Sequence, residues 1–312
     1  MLKIKFMICF LVICRMLFAQ HLSMDEAVAV AMTNHPIARN IALAQHTIAS
    51  TRQVEQILTL DKLAWQVKSA YMDAVYHRRR LQIMQEHSHY FEAFISVAEI
   101  RLAADSITEL ERVSAGTRYA VFQSRMYVAG EELKRAETIL CQLLYLSFGA
   151  IEPNETDLEL YQIHPEKSLH ERFEPVKHKA MDEAQLQEAQ SVVKLEKSKL
   201  FPKRARIRQA ETDVKMKANE IEYLQFSAMQ HIENLQSLLN EYFVQISMSK
   251  ENMLVEARLT LEAVEKDFAA GRITNYAETF TKLSDAVSAK LNHLEYRNLY
   301  NQTALELEFY TQ

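Results

Sequence analysis

Ala103-Ala104-Asp105-Ser106-Ile107-Thr108 returns as Ala269-Ala270-Gly271-Arg272-Ile273-Thr274, and each copy interrupts a long amphipathic pattern that then resumes. Before the first copy, apolar residues recur at steps of three and four through Tyr71, Ala74, Leu81, Met84, Phe91, Ile95, Ala98 and Leu102. Before the second, Leu235, Leu239, Tyr242, Ile246, Met253, Ala257, Val264 and Phe268 repeat the pattern. This is the period of one helix face, so each copy reads as the tip of a helical hairpin. Helices of this length run to roughly 55–60 Å, which makes the molecule an elongated rod.

Composition agrees. The chain has 312 residues with only 4 Gly and 5 Pro, too few for a sheet protein with many tight turns. The fold class read from the residues is all-α: long antiparallel helical hairpins in coiled-coil packing, arranged as two homologous halves. The net charge of -5 gives no broad reason to bind nucleic acid, and no nucleic-acid motif is present. Arg78-Arg79-Arg80 reads as a solvated helix face.

Residues 1–19 read as a signal peptide: Lys3 and Lys5 precede the apolar run Ile8 to Ile13, and Ala19 stands before Gln20. A membrane anchor is the alternative, but the run is short for a span. Cys14 raises lipid attachment, although Ile13 is larger than the small residue such sites place before the cysteine. Removal of the leader takes Cys9 and Cys14 with it and leaves Cys141 without an internal disulfide partner. The mature chain opens with Ser23 and Glu26 at capping-box spacing. Pro36 then closes one helix and starts a second, running from about Ile37 to Gln56.

From here the residues resemble a family. Leu22 and Glu26-Ala27, then Asn34-His35-Pro36 and an alanine-rich helix to Ala49, are similar to the start of an outer-membrane efflux protein of the TolC type. Phe268 to Tyr276 is similar to that family's hairpin turn, and Tyr300-Asn301-Gln302-Thr303-Ala304-Leu305-Glu306-Leu307-Glu308 to its closing helix. The resemblance implies a homotrimer, exported to the periplasm and outer membrane of a Gram-negative-type cell. Its packed helices would form a tunnel, or α-barrel, capped by a membrane β-barrel. It also implies a periplasmic adaptor (membrane fusion) protein as partner, an inner-membrane transporter engaged through it, and no catalysis, cofactor or metal.

The sequence departs from that pattern at two junctions. Ile57 to Leu60 and Lys199 to Pro202 pass almost directly into the next helix, where the family inserts strand hairpins into the barrel. A membrane strand needs about nine to eleven residues, and a hairpin needs two strands and a loop. Both barrel hairpins are therefore expected to be missing or severely shortened. Only closed barrels or complete helices satisfy backbone groups in lipid, so the chain is not expected to form the pore alone. Two functions stay open: the outer-membrane-factor duct of a tripartite efflux or type I secretion system, and a soluble periplasmic coiled-coil interaction protein derived from it.

The expected division is a leader (1–19), a first helical repeat (20–150), a crossover or equatorial belt (151–175) and a second repeat (176–312). Leu158, Leu160, Tyr161 and Ile163 suit a short extended piece against the rods, between Pro153, Pro165 and Pro175. His87 and His89 point about 200° apart on a helix and read as a solvated face, while His170 and His178 lack a third ligand at suitable spacing. There is no P-loop, His-Glu-x-x-His or Gly-x-Ser-x-Gly. Tyr and Phe fall at core periods and read as packing. The resemblance places adaptor contact at the tips, on Leu102, Ala103, Ala104, Asp105, Ser106 and Ile107 and on Ala269, Ala270, Gly271, Arg272 and Ile273. Gly271 suits a positive φ and close approach; Asp105 in the matching place fits that geometry less well.

Overall fold

A computed structural model describes residues 20–44, 50–149, 151–153, 159–161, 176–199, 203–273 and 275–311. The expected leader, most of the crossover with Pro165 and Pro175, and Pro202 lie outside these residues. The elements are β1 (Gln20–Leu22), α1 (Met24–Asn34), α2 (Pro36–Ala44), α3 (Ser50–Ala103) and α4 (Glu109–Leu143). After them come β2 (Ile151–Pro153), α5 (Val176–Lys197), α6 (Arg204–Met248), a π turn (Ser249–Met253), α7 (Leu254–Ala269) and α8 (Tyr276–Thr311). The expectation of long antiparallel hairpins holds.

The rods are longer than the stripes suggested. No Gly or Pro interrupts α3, and its 54 residues span about 81 Å. The α6–α7 rod, likewise free of Gly and Pro, reaches about 100 Å. The capping box at Ser23 forms as expected: Ser23 N–H donates to Glu26 Oε2 at 2.8 Å and Glu26 N–H to Ser23 Oγ at 3.3 Å. Pro36 does open α2.

One boundary differs from the sequence reading. The helix from Pro36 is described as far as Ala44, and Ile57 to Leu60, expected as a junction, lie inside unbroken α3, because nothing in Ser50 to Leu60 stops a helix. Residues 45–49 and 200–202, between the flanking described segments, are too few for a strand pair. Met253 also differs, being expected on the packing stripe but exposed at 40 %. The π turn adds a residue to the helical period, so Ser249 turns inward and Met253 turns out.

The helices form an open layer. α3 packs between α4 and α8, and α8 packs in turn on α6 and α7, so α4 and the α6–α7 rod lie at opposite edges. α1 lies on α3, and α5 runs along α6. Near the tips Phe91, Phe94, Phe122, Phe280 and Leu283 are buried together. Farther up, Val67, Tyr71 and Ala74 pack with Ala27 and Ala31 of α1, and Leu235 and Leu239 with Tyr300 and Leu307. Side chains of this size stabilise the fold by about 1.5–3 kcal/mol each when fully buried.

Polar ties hold the crossover to this layer. β1 and β2 pair in parallel, Gln20 with Ile151 through Leu22 with Pro153, and form a small ribbon that the all-helical reading did not contain. Tyr71 Oη donates to Leu22 O at 2.7 Å. Arg78, expected to be solvated, instead donates to Pro153 O at 3.2 Å and to Glu137 at 2.8 Å, and Arg80 pairs with Glu132. Of the crossover residues expected to lie along the rods, Leu160 and Tyr161 do so; Leu158 and Ile163 lie outside the described residues. Buried Asn301 anchors this piece, accepting from Tyr161 N–H at 2.8 Å and donating to Glu159 O at 3.2 Å. Tyr161 Oη donates to Glu308 at 2.5 Å and accepts from Lys68 at 2.9 Å. Burial and the bond to Glu308 push the Tyr161 phenol up to about 12. Burial pulls the Lys68 ammonium down, but the Tyr161 bond and the Glu308 charge outweigh it and leave it raised.

His87 also departs from the solvated reading, being only 5 % exposed. Its Nδ1 is 2.8 Å from Ile83 O, and its Nε2 accepts from Lys290 Nζ at 2.9 Å. Burial, then the Lys290 charge, lowers its pKa below the usual histidine value. His89 is exposed, as expected.

Candidate functional site

The repeated hexapeptides sit at the same end of the layer and are built alike. At the end of α3, Asp105 N–H donates to Leu102 O at 3.0 Å and Ser106 N–H to Arg101 O at 2.8 Å. At the end of α7, Gly271 N–H donates to Phe268 O at 3.1 Å and Arg272 N–H to Asp267 O at 2.9 Å. Both pairs are the 5→2 and 6→1 bonds of a Schellman turn, which needs a left-handed residue just past the helix. Asp105 supplies it with φ 52° and Gly271 with φ 63°. The two positions are therefore geometrically equivalent despite their chemistry. Asp is among the few side chains that tolerate this region.

The next helices start by different caps. Thr108 and Glu111 form a capping box, with Thr108 N–H donating to Glu111 Oε2 at 2.7 Å and Glu111 N–H to Thr108 Oγ1 at 3.2 Å. The bonds from Thr108 hold the Glu111 carboxyl below the usual range. In the second copy Asn275 Oδ1 accepts from Glu278 N–H at 3.1 Å, so the cap falls one residue later. Thr274, the counterpart of Thr108 in the repeat, lies outside the described residues.

One side chain joins the two tips. Arg101, in the last turn of α3, donates to Gly271 O at 2.9 Å and also to Ile273 O. A planar guanidinium can address two carbonyls at once, whereas an ammonium cannot hold the same fork. The pattern of apolar residues gave no hint of this clamp, because its acceptors are backbone atoms on the other half of the chain.

The expected contact residues separate by exposure. Ala103, Ala104, Asp105, Ser106, Ala270, Gly271 and Arg272 are exposed, Leu102 and Ile107 are half-buried, and Ile273 is 4 % exposed and packs against the Phe-rich core. Ala269 closes α7. Arg272 makes a surface ion pair with Asp267 at 3.2 Å, of small energetic weight at that exposure. The end face is thus small and mostly uncharged, with Asp105 and Arg272 as its marks of charge.

The whole arrangement matches solved channels. CusC superposes with a TM-score of 0.68 over 93 % of this chain and 74 % of its own, at 15 % identity. The fold is that of a TolC-type outer-membrane channel. The Campylobacter jejuni CmeC outer membrane channel gives 0.69 over 88 % of this chain and 67 % of its own, at 9 % identity. The open state of the Neisseria gonorrhoeae MtrE outer membrane channel gives 0.64 over 92 % and 71 %, at 13 % identity. No family model matches the chain, and no curated protein matches it. At such identities the likeness is one of fold, and the described residues of this TolC-like layer include no barrel hairpin.

Proposed function

We propose that this chain is the helical-duct component of a tripartite efflux or type I secretion system, at the periplasmic side of an outer membrane, and that it docks an adaptor protein through its paired tips. The observation that carries the reading is the tips themselves: two turns of the same geometry, tied by Arg101 into one small exposed face at the end of long rods. Core helices need apolar neighbours on their flanks, but a tip has no such duty and is free to meet a partner. The exposed residues Ala103 to Ser106 and Ala270 to Arg272 would make the contact, with Leu102, Ile107 and Ile273 supporting them. Such a duct works by conduction and needs no catalytic group or cofactor.

The layer's free edges support assembly from copies of the chain. On α4, Leu110, Val121, Val128 and Ile139 form an exposed apolar stripe; on the opposite edge Met216, Tyr223, Val244, Met248, Val255 and Leu259 form another. Two different edges that cover each other make a head-to-tail contact, which closes into a ring when the rotation allows. The homotrimer is the closure implied by the resemblance. In this reading the two hairpin repeats, 20–150 and 176–312, are the walls and 151–175 the belt. The short intervals 45–49 and 200–202 leave any membrane exit to other chains.

The test is Gly271→Val. An added Cβ meets nothing within 4 Å, so the change strains only the left-handed backbone, by about 1–2 kcal/mol. Adaptor binding measured by calorimetry should weaken while helix content by circular dichroism stays the same. Unchanged affinity would remove the contact role.

A further inference from the structure

The end of the rod opposite the tips carries a charge pattern that conduction and adaptor docking leave unused. Where α5 gives way to α6, Lys194, Lys197 and Lys199 lie on the first arm and Lys203, Arg204, Arg206 and Arg208 on the second. Glu196 is the one acid from Lys194 to Arg208, in a chain whose net charge is -5. All of these basic residues are exposed. Lys197 pairs with Glu211 at 2.8 Å and Lys199 with Glu196. The remaining five make no ion pair among the described residues.

Helix stability does not account for the cluster. Cations suit the C-terminal turn of α5, but the first turn of α6 is the positive end of a helix dipole and disfavours Arg204 and Arg206. Lys203, in the N-cap position, offers no side-chain acceptor, and the first turn of α6 has no acid. Two other helices follow the opposite rule, with Asp25 and Glu26 opening α1 and Glu109 and Glu111 opening α4. Beside the cations, Val192 and Leu195 are 48 % and 61 % exposed.

We propose that the exposed basic residues at the end of α5 and the start of α6 form a membrane-docking site that binds anionic, phosphate-bearing lipid headgroups. Clustered Lys and Arg at the adjoining ends of two packed helices suit a flat anionic surface, and the nearby Val192 and Leu195 suit its apolar boundary. A nucleic acid fits less well, since a duplex lying along the rod would meet an acidic molecule. The inference goes beyond the duct reading and does not depend on it, because the two sites lie at opposite ends of the α6–α7 rod.

The test is flotation of the full chain with phosphatidylcholine vesicles, alone or with about 30 % phosphatidylglycerol, read as the ratio of anionic to neutral binding. Changing Lys194, Lys203, Arg204, Arg206 and Arg208 to Gln should cut anionic binding at least about a hundredfold. A control variant with Lys62, Arg125, Lys134, Arg258 and Lys282 changed to Gln carries the same net charge and should bind like the parent. Circular dichroism checks that both variants keep their helices. Equal binding to neutral vesicles, equal losses in the two variants, or equally tight binding of a DNA oligonucleotide at the same salt would each overturn the proposal.

Discussion

Removing the Arg101 side chain tests whether the two tips act as one unit. Arg101→Ala deletes two charge-assisted bonds, to Gly271 O and Ile273 O. Bonds of this type contribute about 1.5–3 kcal/mol each, and Arg101 is only half-buried, so solvent screening and water at the freed carbonyls reduce the sum. A net coupling of about 2–3 kcal/mol remains, corresponding to roughly 30- to 150-fold in the local opening equilibrium. The assay is amide hydrogen exchange read by mass spectrometry on peptides from both tips. Exchange should quicken by that factor in 268–280 and less in 100–108, whose Schellman turn and capping box are internal to the first hairpin. The region of Phe91 and Phe94 should not change, because the buried Phe cluster holds it. Arg101→Lys should fall between, since an ammonium loses the two-pronged geometry. Unchanged exchange in 268–280 would refute the clamp, and uniform loss along α3 would show that Arg101 supports the whole rod instead.

Two further outcomes follow from the polar ties. Asn301→Ala leaves Tyr161 N–H and Glu159 O without their partner and should cost about 2–3 kcal/mol in urea unfolding, with proteolytic nicking at the crossover; full stability would mean the strap is not held there. Burial lowers the pKa of His77, His87 and His293, so the unfolded chain binds protons more readily than the folded one once pH drops below about 6.5. Stability should be constant in this respect above that pH and fall below it. His87→Gln, which keeps an acceptor for Lys290, should shrink the fall, and an identical pH profile for the variant would clear His87 of the effect.

The sequence revealed the hairpins because their evidence is repeated many times: each rod shows its apolar face again at every turn, and the hexapeptide marks both reversals. Boundaries were less legible where nothing local enforces them. Ser50 to Leu60 contains no helix breaker, so no residue there marked Ile57 to Leu60 as the interior of α3 instead of a junction. The π turn was hidden for the opposite reason, since a one-residue shift in period leaves the stripe before and after it looking regular, and only Met253 betrays it. Exposed tip residues could be found from small size and polarity. Arg101 could not, because a carbonyl acceptor has no sequence signature and this one lies on the other half of the chain.

The same limit applies to the seam between the halves, where α3 meets α8. A stripe of Leu, Ala and Phe repeating at heptad steps specifies that two helices pack, but it tolerates a slip of seven residues, about 10 Å, with similar apolar contacts. The polar partners do not tolerate it. Lys68 meets Glu308, and Ser69 and Asp73 meet Gln302, while His87 meets Lys290 and Arg101 reaches the Gly271 turn. The partners differ in chemistry from one position to the next, a carboxylate for Lys68, an amide for Ser69 and Asp73, an ammonium for His87 and backbone carbonyls for Arg101, so a shift of seven residues would set these groups against the wrong partners and leave polar groups unsatisfied. Apolar burial therefore supplies most of the attraction along the seam, and the polar ties choose the register. That register sets the two Schellman turns at one level, which is the condition for both to present a single face to a partner.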